Sequence, residues 1–134
     1  MRIQRWEKIL AEYIENEAQI PFEWGVSDCL MFAGNAAYAI TGHDPIAEAR
    51  GQYHDLRTAA ELSANLGIKT EEIFDRFYER GEIPYARRGD IVLKNHNNGA
   101  TFGIVYNGKA VFRLEGLGLV YEPLRSVGMT WRVD

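Results

Sequence analysis

Cys29 is the only cysteine in the chain, and it stands in "PFEWGVSDCLMFAGNAAYAITG", residues 21–42. Ser27 or Asp28 is a good N-cap, because a side-chain oxygen there can accept from an orphan amide of the first helical turn. Cys29 then falls in that turn, where unpaired amides and the helix dipole favour a thiolate. Such a thiolate could attack an acyl carbonyl, with a backbone amide near the helix start stabilising the oxyanion. Asp28 opposes the thiolate by like-charge repulsion unless it turns away to cap the helix. The competing reading makes Cys29 a small apolar residue packed into a core.

A thiol nucleophile needs a base within hydrogen-bond reach. Three histidines are available. His43 lies beyond the far end of the same helix, ~21 Å away at ~1.5 Å per residue, and cannot serve. His54, in "RGQYHDL", reads as a surface residue. His96, in the polar loop "KNHNNGAT" between two predicted strands, is the remaining candidate base.

Four helices are expected to position these groups. Ile3, Trp6, Ile9, Leu10, Tyr13 and Ile14 recur at steps of three and four, the stripe of an amphipathic helix. The second helix runs from Ser27 to Thr41, is apolar nearly all round and is therefore buried on most sides, with Gly42 as its stop. "DLRTAAELSANLG" (55–67) reads as a third helix and "KTEEIFDRFYERG" (69–81) as a fourth. From residue 84 onward short β-branched and aromatic runs follow, and Asn107-Gly108 between two of them is a strong hairpin signal. The pattern is α+β: a helical half over about 1–83 and a β half over about 84–134, in a single domain.

Composition excludes several functions. With 134 residues and a net charge of -4, the chain has no nucleic-acid signature, and the basic pair Arg87-Arg88 is followed at once by Asp90. No run reaches the ~20 apolar residues of a membrane span. One cysteine excludes an internal disulfide and a cysteine-based zinc site, and no cofactor or metal is called for. The acidic N-terminal stretch is not a signal peptide, which places synthesis and folding in a reducing cytoplasm.

The ordered set Trp24-Gly25, Asp28-Cys29, Gly89-Asp90-Ile91-Val92 and Gly103-Ile104-Val105-Tyr106 with Gly108 resembles the cell-wall cysteine peptidases of the NlpC type. More closely, the "F.WG..DC" opening, "TG.DP" (Thr41, Gly42, Asp44, Pro45), a late Gly118-Leu119 and the terminal Trp131-Arg132-Val133 resemble a family of that superfamily encoded in phage and prophage tail modules. The resemblance implies a papain-like fold, with N-terminal helices packed on a small antiparallel β-barrel or sheet from Gly89 to Val133. It also implies a place in the virion tail tip, hub or baseplate, among other tail proteins, after synthesis in the host cytoplasm.

Catalysis does not carry over whole. The peptidases' catalytic histidine falls at Thr101, and their third polar residue near Phe112 or Arg113. Cys29 matches as nucleophile, Asp28 as its capping neighbour, and His96 is the substitute base. Trp24, Ser27, Thr101, Tyr106 and Phe112 are expected to line the pocket. Two functions follow: a structural tail component with a degenerate site, or a peptidase or amidase that cuts peptide bonds in peptidoglycan during entry.

Overall fold

The computed structural model describes residues 1–97 and 99–134. Among the described residues three α-helices precede five β-strands: α1 (Trp6–Glu17), α2 (Cys29–Thr41), α3 (Leu56–Leu66), β1 (Ile91–His96), β2 (Gly99–Tyr106), β3 (Lys109–Leu114), β4 (Gly118–Pro123) and β5 (Met129–Trp131). The architecture is α+β. The strands form one antiparallel sheet in the order β4-β3-β2-β1-β5.

Of the barrel or sheet expected, the structure has an open sheet, since β4 and β5 lie at opposite edges. The link between them, residues 124–128, instead runs over one face. There Leu124 and Val127 join Val92, Val105, Ala110 and Phe112 in a second, smaller core. The other face carries the main core, where Ile91, Leu93, Phe102, Ile104 and Val111 meet Phe32, Ala33, Ala36 and Ile40 of α2. Because both faces are covered, β2 and β3 read as nearly continuous apolar runs instead of alternating ones. The hairpin between them forms as expected: Asn107 and Gly108 both take positive φ, 52° and 74°, as the tight two-residue turn requires.

The expected fourth helix does not form. Only a 3-10 turn at Thr70–Glu72 survives of it. The rest is held by tertiary partners. Phe74 is buried against Phe102 and Trp131, Asp75 accepts from the Trp131 indole at 2.8 Å, and Arg80 bridges to Trp131 beside β5. Local helix propensity is worth tenths of a kcal/mol per residue, and these contacts outweigh it.

The Gly89-Asp90 pair forms a clasp between the chain ends. Buried Asp90 accepts from Arg2 at 2.9 Å and from the Val133 amide at 3.1 Å, and Arg2 also donates to the Val133 carbonyl. Arg113 ties the two halves together. Fully buried on β3, it donates to the Glu17 carbonyl (2.7 Å), the Ser27 carbonyl (3.2 Å) and the Glu17 carboxylate (3.3 Å), and its guanidinium lies over Phe32.

Candidate active site

Asp28, not Ser27, caps α2. Its Oδ1 accepts from the Met31 amide at 2.9 Å, while Oδ2 accepts from the Gly25 amide at 2.8 Å and the Tyr53 hydroxyl at 2.5 Å. Ser27 faces elsewhere and donates to the Pro21 carbonyl at 2.6 Å. Gly25 is required at the turn before the cap: its φ is +80°, and a Cβ there would lie 2.1 Å from the Tyr53 carbonyl oxygen. The loop at 21–28 and the connector carrying Tyr53 are thus locked to each other through one buried carboxylate.

Cys29 opens α2 at the edge of a cleft of about 390 Å³ lined in part by Trp24, Asp28, Tyr53, Ala100 and Phe102. The residue is part-exposed, yet burial of its thiol dominates and pushes the pKa up to about 11. The amide of Phe102 pulls in the opposite direction, Asp28 adds to the rise, and the amides of Leu30 and Cys29 lower it. The helix start therefore does aim donors at the sulfur, and desolvation outweighs them. At neutral pH the group is a thiol.

A measurement follows. Iodoacetamide alkylation of Cys29 should climb steadily with pH and show no plateau below about pH 10. A midpoint near 7 would mean an activated thiolate. Stability carries the same signature. The folded pKa lies above the unfolded one, ~8.5, so the protein's preference for the neutral thiol is intact below ~8.5 and is lost as pH rises toward about 11. Relative to Cys29→Ala, the wild type should lose stability across that window and not below it.

No histidine accompanies the thiol. His43 packs on Phe77 with ring centroids 5.0 Å apart, and His54 is largely exposed beside Asp55. His96 is not in a loop but ends β1, and pleat parity decides which way it faces. Ile91 and Leu93 point to the helices, so Val92, Lys94 and His96 point to the opposite face. There His96 Nε2 meets Glu122 Oε2 at 2.6 Å and its ring packs on Phe112. His96, the candidate base of the enzymatic reading, is therefore not paired with Cys29.

The same parity corrects two other expectations. Thr101 pairs with Lys94 and shares its face, while Phe102, one residue on, faces the helices. Phe112 is buried in the second core. Tyr106 does face the helices, but it packs on the main core away from the cleft. Of the expected pocket-lining residues Trp24 lines the cleft and Ser27, Thr101, Tyr106 and Phe112 do not; the candidate nucleophile Cys29 and its neighbour Asp28 line it as well.

Residues 1–133 match the family described as "Domain of unknown function (DUF6950)". The chain belongs to the DUF6950 family. No curated protein matches it.

In this DUF6950 chain Tyr53, the cleft-facing side of α3, and Ala100 and Phe102 of β2 also line the cleft, and none of them stands out in the sequence as a site residue. Strand alternation was the available signal for the last two. Once Ile104 is assigned to the core, Phe102 and Ala100 must share its face, and Thr101 cannot. Nothing local marks Tyr53, whose partner lies 25 residues away.

Proposed function

We propose that the chain is a structural component of a phage tail tip or hub, built on a papain-like fold of the NlpC type whose peptidase site is degenerate. The supporting observation is the isolation of Cys29: a thiol held neutral by burial, with the three histidines engaged elsewhere or exposed. Thr101 and Phe102, at and beside the position where the resembling peptidases keep their histidine, supply no proton acceptor of suitable basicity. A neutral thiol without a base is a poor nucleophile toward an amide.

The peptidase reading keeps one point in its favour, the backbone amides of Phe102 and Leu30 that bear on the sulfur. Incubation with peptidoglycan sacculi separates the two. No soluble peptides should appear by mass spectrometry, for wild type or Cys29→Ser alike. Peptide release by the wild type that Cys29→Ser abolishes would overturn the degenerate-site reading. Separately, antibodies to the chain should label the tips of purified tail particles, and unlabelled tails would remove the tail assignment.

A further inference from the structure

The cleft beside Cys29 extends beneath α3, and this helix is unusual in the fold. Asp55 and Thr58 form a reciprocal capping box that starts it, and its sequence is amphipathic, yet none of its side chains is buried. Leu62 reaches the main core only in part, Leu56 and Leu66 remain largely exposed, and all three line the cleft, with Ile46, Ile73 and Phe102 among the other lining residues. Amphipathic helices normally bury that stripe. At about 390 Å³ the space is within the range of small-molecule pockets.

Three polar side chains of the cleft, Asp28, Tyr53 and Ser63, are hydrogen-bonded within the chain. Asp28 accepts three hydrogen bonds, and the Ser63 hydroxyl donates to the Ile68 carbonyl. A peptide segment entering here would bring backbone amides and carbonyls needing partners. An alkyl chain would bring none. The lining also holds a paired charge on more exposed side chains: Arg76 Nη1 lies 3.2 Å from both carboxylate oxygens of Glu48. Such a pair is worth little in water and is cheaply opened. A carboxylate could take the place of Glu48 on Arg76.

We propose that the cleft binds a free medium-chain aliphatic acid, its alkyl chain lying between α3 and Phe102 and its carboxylate on Arg76. Since a 150 Å³ apolar cavity holds benzene, this volume suits a chain of roughly eight to twelve carbons. The assignment is independent of the tail-component reading.

Octanoate, decanoate and dodecanoate, each below its micellar concentration, provide the test. Trp24 lines the cleft and reports occupancy by fluorescence, with Trp24→Phe identifying its share of the signal. Binding should saturate at one ligand per chain and tighten roughly fourfold per added methylene until the cleft is full. Glu48→Gln should tighten dodecanoate severalfold, and Arg76→Gln should weaken it severalfold. Ala60→Phe, at an exposed position lining the cleft, should abolish binding while circular dichroism stays unchanged. Affinity that ignores chain length, or survives Ala60→Phe in a folded protein, overturns the proposal. So does concentration-dependent dimerisation that Ala60→Phe removes, which would assign the cleft to a second copy.

Discussion

Arg113→Ala is expected to cost about 3–5 kcal/mol of folding stability, the loss typical of removing one member of a buried charged network. The guanidinium is fully buried and reaches three acceptors on two other elements: the Glu17 carbonyl and carboxylate at the end of α1, and the Ser27 carbonyl just before α2. Truncation removes the donor shared by all three, leaving the Glu17 carbonyl only the Ile20 amide and its carboxylate only the Tyr13 hydroxyl, and opens a cavity over Phe32. Arg113→Met restores volume without donors, so it should cost less than alanine but remain clearly destabilising. Urea titration checks this, with the midpoint falling and the slope preserved. An alanine variant within 1 kcal/mol of wild type would mean that the helices dock on the sheet without this link.

Asp28→Ala is expected to cost about 3–4 kcal/mol. Loss of the helix cap on Met31 contributes roughly 1 kcal/mol, and stranding the Gly25 amide and Tyr53 hydroxyl roughly 1–3 kcal/mol each before relaxation. Tyr53→Phe removes one donor together with its need for a partner and should cost much less than Asp28→Ala. A double-mutant cycle isolates the Asp28–Tyr53 coupling. The variant has a second readout that mere destabilisation would not produce. Asp28 is one of the groups raising the Cys29 pKa, so the alkylation midpoint should fall below about 11 in whatever fraction remains folded. An unchanged midpoint would mean that burial alone sets the thiol.

The motif residues behind the peptidase resemblance serve this chain largely through its architecture. Gly25 and Asp28 lock the loop before α2, Asp90 clasps the two chain ends, and Trp131 and Val133 fill the core. Short motifs of this kind can thus serve packing and capping. Cys29 illustrates the distinction. Its first-turn position was readable from the cap and the apolar run behind it. Its protonation was not, because desolvation depends on what covers the sulfur, including β2, more than seventy residues later in the sequence.

By itself the sequence determined the segments whose signals lie within a few residues. These are the stripe of α1, the nearly all-apolar α2 behind its Asp28 cap, the boundaries of α3, the Asn107-Gly108 turn, and the division into a helical and a β half. Capping, periodicity and turn chemistry act over one or two turns of backbone and need no distant partner. Tertiary structure decided the rest. It turned His96 and Thr101 away from Cys29, unwound residues 73–81 to meet Trp131 and β5, left the sheet open, and buried Arg113 between its halves. Each outcome depends on strand register or on contacts between residues far apart in the chain, and a one-residue change of parity reverses the face on which a side chain emerges.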